Sequence, residues 1–139
     1  TVSLNFVSAI FSSLPALNSA FYYYGLTDTI PDHYYVATPK SNRKIEDVRV
    51  KQIYENSNAF EMGKTTIEYD GVDITIYNEE RLLIELIRNK RKFSFDLYKE
   101  IISNYRKLIH KMDMTQIMEY AYELPKTNMV METIRLEIL

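Results

Sequence analysis

Metal ligation, phosphate binding, nucleophilic attack and acid–base work each need particular side chains at particular spacings, and this chain of 139 residues offers few of them. Its two histidines, His33 and His110, are far apart, and neither falls in an H-E-x-x-H or similar spacing that would bring two imidazoles to one metal. His110 falls near the predicted end of a helix, where the dipole favours a positive group. There is no cysteine, so disulfides and thiolate metal sites are excluded. The three glycines, Gly25, Gly63 and Gly71, stand in no G-x-G or Walker spacing, so no backbone cradle for phosphate is predicted. No serine lies in a G-x-S-x-G elbow. Asp70 and Asp73 are close together, but Thr75 and Tyr77 follow them where a metal-dependent nuclease would place a lysine. Asp70 therefore reads as turn chemistry. The sequence assigns no catalytic residue, no metal and no cofactor.

What remains is charge and aromaticity. Lys40, Arg43 and Lys44 follow Pro39 in a predicted loop, and Arg88, Lys90, Arg91 and Lys92 fill a predicted connection between two helices. These seven residues are the candidate interaction surface, since either cluster can contact phosphates. The bland reading of the same residues is a solvated loop and a favourable charge at a helix C-terminus. Twelve tyrosines are a second unusual feature. Tyr22, Tyr23 and Tyr24 are consecutive, and a helix turns each by roughly 100° from the last. They cannot all face one core, so at least one is expected at the surface or at an interface.

The elements that must position these residues follow from hydrophobic period and turn signals. Pro15 suits the first turn of a helix and Gly25 the left-handed residue just past its end, with Leu17, Ala20, Phe21 and Tyr24 on one face between them. Tyr34 to Thr38 reads as a short strand stopped by Pro39, and Arg49 to Tyr54 as another. Lys64 to Tyr69 and Val72 to Tyr77 flank Asp70-Gly71, a strong hairpin signal. Asn78 is predicted to cap a helix over Glu79 to Asn89 whose buried face is Leu82, Leu83, Leu86 and Ile87. Ser94 caps a helix to Ile109 carrying Tyr98, Ile102, Tyr105 and Ile109. Asp113 with Gln116 resembles a capping box opening a helix to about Leu124, which Pro125 breaks. Thr127 is predicted to cap a last helix carrying Val130, Ile134 and Ile138. The fold class expected is α+β: an N-terminal helix, a small mostly antiparallel sheet with an Asp-Gly hairpin, then about four C-terminal helices.

Bulk composition limits the function classes. A chain of this length is expected to form a single domain, residues 1–139. Hydrophobic residues make up 46% and charged residues 26%, which argues against disorder along the whole length. A net charge of -2 lacks the basic excess of a dedicated nucleic-acid binder, so such binding would need a local patch. No stretch is apolar and long enough to span a bilayer, and Thr1 to Phe11 has no basic region ahead of its apolar residues, so neither a membrane partner nor a signal peptide is read. A cytoplasmic location is the expectation. The start at Thr1 rather than Met reads as a fragment.

Three segments carry a family resemblance. The run Ser19-Ala20-Phe21-Tyr22-Tyr23-Tyr24-Gly25-Leu26-Thr27-Asp28-Thr29-Ile30-Pro31 resembles the aromatic-rich helix, Gly-Leu-Thr-Asp and Pro segment of AbiEi-type antitoxins. Tyr35-Val36-Ala37-Thr38-Pro39 is similar to the strand that follows in that family. Ile76-Tyr77-Asn78-Glu79-Glu80-Arg81 with Leu82 to Arg88 resembles its hydrophobic-Tyr-x-x-Glu-Arg signature opening a helix, with Glu85 where an aspartate is often seen. The resemblance spans about Ser13 to Arg88. It implies a two-part bacterial transcriptional regulator: a winged helix-turn-helix head for its own operator, absent from these residues, and a C-terminal effector with antitoxin activity against a nucleotidyltransferase-type toxin. The arrangement is called type IV, in which toxin and antitoxin form no direct complex, and relatives serve abortive infection in phage defence. The implied function is a non-enzymatic antitoxin effector, with operator DNA bound only through the missing head. The surface tyrosines and apolar helices also fit a homo-oligomeric module that positions two heads and has no antitoxin role.

Overall fold

A computed structural model describes residues 13–139; the reading of Thr1 to Phe11 as lacking a signal peptide lies outside the described residues. The fold is α+β. In chain order it runs β1 (Leu14–Pro15), α1 (Leu17–Tyr23), β2 (Tyr34–Pro39), β3 (Val50–Glu55), α2 (Ser57–Glu61), β4 (Lys64–Tyr69), β5 (Val72–Tyr77), α3 (Glu79–Arg88), α4 (Phe95–Leu108), α5 (Met114–Glu123) and α6 (Thr127–Thr133), with a last π turn over Ile134–Ile138. The strands form two small sheets, β1-β2-β3 and β4-β5. The β1–β2 and β4–β5 pairings are antiparallel and the β2–β3 pairing is parallel.

Local chemistry explains most boundaries. Asp70 and Gly71 both take positive φ, 51° and 78°, as a type I′ turn requires, and the register Ile67↔Ile74 and Tyr69↔Val72 follows from it. At the end of α1 the N–H of Leu26 donates to Phe21 O at 2.9 Å and that of Gly25 to Tyr22 O at 3.0 Å. This pair of bonds is a Schellman closure, with Gly25 at φ 71° as its left-handed residue. The side chains of Asn78, Ser94 and Asp113 accept the N–H of Arg81, Leu97 and Gln116, so three helices carry the caps expected of them.

Three details depart from expectation. Pro15 does not open α1; it pairs with Val36 in β1, a short edge strand where the missing N–H does no harm. The chain turns into the helix at Leu17 instead, whose φ of 42° costs about 1–2 kcal/mol and is offset by burial of its side chain. Thr127 does not cap α6 as an acceptor. Its hydroxyl donates to Ala121 O at 2.7 Å and Leu124 O at 3.3 Å, satisfying carbonyls left open at the end of α5, while left-handed Lys126 makes the corner. The short helix α2 was not anticipated. It carries Phe60 into the core.

The parallel pairing of β3 with β2 needs a crossover, and Gln52 ties it down. Its Oε1 accepts Ile45 N at 2.7 Å and its Nε2 donates to Thr38 Oγ1 at 2.8 Å, so the buried Thr38 hydroxyl and the loop are satisfied together.

Helix α3 is the centre of the core, packed against α1, α5 and α6. Burial is not confined to Leu82, Leu83, Leu86 and Ile87: every residue from Arg81 to Ile87 is buried. A helix covered on all sides loses its polar face, which is why Arg81 and Glu85 are inside. The buried apolar residues form one cluster reaching from Leu14 to Ile138, with Phe21 seated against Phe93 and edge-on to Tyr105.

Candidate functional site

The two basic clusters, separated in sequence by more than forty residues, both reach Glu55, the last residue of β3. Lys40 follows β2, and its N–H donates to Glu55 O, the last residue of β3, at 2.8 Å. Arg43 and Lys44 continue the same loop, and the Arg43 carbonyl accepts from Gln52 Nε2 at 3.2 Å. From the other side, Arg88 and Lys92 lie within electrostatic range of the Glu55 carboxylate. Lys90, Arg91 and Lys92 form a single 3₁₀ turn with exposed side chains, the Lys90 ammonium lying 4.9 Å from the centre of the Tyr98 ring, so Lys40, Arg43, Lys44, Lys90, Arg91 and Lys92 are six exposed cations. Arg88 is drawn inward: its Nη1 meets Glu85 Oε1 at 2.9 Å and its side chain keeps 18% exposure.

Beneath this face lies a buried ionic cluster that periodicity alone did not reveal. Arg81 is fully buried. Its Nε donates to Glu85 Oε1 at 3.0 Å, its Nη1 to the carbonyls of Met62 (2.8 Å) and Ala59, and its Nη2 lies 3.8 Å from Glu55 Oε2. The guanidinium also stacks 4.4 Å over the Tyr77 ring, whose hydroxyl donates to Phe60 O at 2.9 Å. Arg81 thus clasps the α2 segment to α3. Gly63 leaves room for the clasp, since a Cβ there would stand 2.8 Å from Arg81 Cβ. Burial raises the Glu55 carboxyl above its ordinary value, Glu85 adds to the rise, and Arg81, Arg88 and Lys92 oppose it. The available signal was an arginine four residues before a glutamate and seven before a second arginine, with only apolar residues between them.

The residues weighed for catalysis take ordinary places. Asp70 is the turn residue, and Asp73 is exposed across the hairpin from Glu68. His110 is exposed in the 3₁₀ turn that ends α4. His33 lies beside Asp32, Nδ1 to Oδ1 3.2 Å. Among the described residues no three His, Cys, Asp or Glu side chains are grouped to hold a metal, and no helix is long and apolar enough to cross a membrane.

The tyrosine run resolves into three half-buried rings. Tyr24 donates its hydroxyl to Tyr77 O at 2.7 Å, which joins α1 to the end of β5. Tyr23 packs edge-on against Tyr69. Tyr22 and Tyr23 also line a cleft of about 350 Å³ at the opposite end of β2–β3 from the basic face, with Asp32, His33, Tyr34 and Arg49. There Arg49 forks onto Asp47 through Nε (2.9 Å) and Nη2 (2.7 Å), and that pairing lowers the Asp47 carboxyl to about 2.

No family model matches this chain, and no curated protein matches it at a significant level.

Proposed function

We propose that the chain is a non-enzymatic antitoxin effector domain of the AbiEi type, acting in abortive infection against a nucleotidyltransferase-type toxin and located in the cytoplasm. The observation that carries the proposal is that both basic clusters reach Glu55 at the end of β3, one through the Lys40 backbone N–H and the other through the charges of Arg88 and Lys92. Like charges clustered along a loop or a turn repel one another, and an anionic ligand offsets that cost. The chain's net charge of -2 makes this concentration local. The segments that resemble the family support the reading in a second way. Gly25 stops α1, Tyr24 is bonded to Tyr77, and Arg81 clasps α2 to α3. Those residues build the frame, and the exposed cations at its edge are left to act. A type IV effector needs no direct complex with its toxin, so the ligand of this face is a phosphate- or carboxylate-bearing molecule.

Co-expression tests the proposal. Cells carrying the neighbouring toxin gene are expected to grow when this chain is supplied and to arrest without it; continued arrest would contradict the proposal.

A second reading, a homo-oligomeric module that positions DNA-binding heads, is favoured by Met118 and Tyr122. They stand one turn apart on α5 at 42% and 75% exposure. It predicts a dimer by light scattering that Tyr122→Glu converts to monomer, with no rescue of the toxin.

A further inference from the structure

The N-terminal end of the β2–β3 pair holds a feature that the proposed effector function does not use. Each strand is six residues long, so this end lies about 20 Å from the basic face. The cleft of about 350 Å³ opens there, between α1 and the starts of the two strands. That volume falls in the range of small-molecule sites.

Its walls are aromatic and its charge is unbalanced. Tyr22 and Tyr23 from α1 and Tyr34 from β2 supply three phenol rings. The Tyr23 ring is held in place by Tyr69, centroids 4.8 Å apart, and Tyr34 stands 57% exposed. Arg49 also lines the cleft, but its fork onto both carboxylate oxygens of Asp47 balances its charge. Among the described residues Asp32 is paired with no lysine or arginine, only with the His33 imidazole. It accepts the Tyr35 hydroxyl at 2.8 Å and faces His33 Nδ1 at 3.2 Å, both through Oδ1, and its side chain is 71% exposed. The cleft is therefore lined by three phenol rings and one carboxylate, beside an arginine that Asp47 already holds.

We propose that this cleft binds an organic cation, an ammonium group bearing alkyl substituents. The faces of phenol rings attract such a cation through their quadrupoles, and cages of aromatic side chains recognise quaternary ammonium groups in this way. The Asp32 carboxylate adds direct Coulomb attraction. An anion would meet the Asp32 charge and find Arg49 already engaged by Asp47. Free choline and a methylated lysine side chain of another protein carry the same chemistry.

Titration followed by NMR at pH 8 tests the assignment, with choline as the probe and 3,3-dimethylbutan-1-ol as its uncharged isostere. Saturable choline binding is expected to shift the signals of Tyr22, Tyr23 and Tyr34. Binding of the isostere, and of choline to Tyr34→Ala or Asp32→Asn, is expected to be about tenfold weaker. Both substitutions are at exposed side chains, and retention of the near-UV spectrum establishes that the fold survives. A trimethyllysine peptide binding more tightly than choline would support the assignment with a protein partner as the source; the reverse order would support it with a free metabolite. Equal affinity for choline and its isostere, unchanged binding by both variants, no saturation, or tighter binding of adenosine than of choline would each overturn it.

Discussion

The Arg81 guanidinium is 4.4 Å from the centre of the Tyr77 ring, and the two residues together hold the α2 segment, Arg81 through the carbonyls of Ala59 and Met62 and Tyr77 through that of Phe60. Three carbonyls in and just after this five-residue helix are thus anchored by one buried cation and its neighbour. The same segment follows directly on Glu55, where the loop bearing Lys40 is bonded. The buried cluster therefore braces the strand end on which the exposed cations are displayed.

Removal of the cation alone should be severe. Arg81→Met leaves Glu55 and Glu85 buried without their common partner, and a loss of about 3–5 kcal/mol is expected in urea unfolding. Adding Glu85→Leu and Glu55→Leu should recover most of it, because the desolvation cost disappears along with the attraction. A triple variant as unstable as the single one would contradict this account of the cluster.

Gly63 should tolerate no side chain. Its φ is 84°, and a Cβ would come within 2.8 Å of Arg81 Cβ, so Gly63→Ala meets both backbone strain and a clash. A cost of about 2–4 kcal/mol is expected. Gly71→Ala, at φ 78° with open space around it, carries only the backbone part, about 1–2 kcal/mol. Equal losses for the two variants in thermal or urea unfolding would refute the clash.

Stability should carry a signature of Glu55. Its folded value is raised above 4.5, chiefly by burial. The native state then holds its proton to higher pH than the unfolded chain does, so this group's contribution is full at and below its ordinary value and is lost as pH rises through the raised value. Asp47 has the opposite sign: its contribution is present above its ordinary value of 3.8 and is lost as pH falls toward about 2. Relative to Glu55→Gln, the unmodified protein should therefore lose stability as pH is raised from about 4.5. A pH-independent difference between the two proteins would remove Glu55 from that role.

Much of the frame was legible because its signals are local. Asp70-Gly71 could only take its positive φ values in a tight hairpin turn, and Asn78, Ser94 and Asp113 each cap from one residue outside their helices. The alternation in 50–55 showed a strand but carried no direction, so the parallel pairing with β2 was invisible until Gln52 was seen tying the crossover loop to Thr38. Pro15 fits the first turn of a helix and an edge strand equally well, and contact with Val36 decides between them. The burial of Arg81 was not legible in helical spacing, because its partners Ala59 and Met62 lie some twenty residues earlier in the chain. The two basic clusters were read residue by residue, yet their union depends on Glu55, which no motif singled out. The cleft draws on α1 and the starts of β2 and β3, so the tyrosine run hinted at an exposed aromatic surface without locating it.

The most direct test of the proposed effector function is toxin rescue by a charge-reversed chain. Lys90→Glu, Arg91→Glu and Lys92→Glu change only exposed side chains and leave Arg88 on Glu85, so the unfolding midpoint should stay within a few degrees of the unmodified chain. With the chain co-expressed beside the toxin, the account predicts growth with the unmodified protein and arrest with the reversed one. Undiminished rescue by the reversed, folded chain would contradict the claim that this basic face is the effector surface.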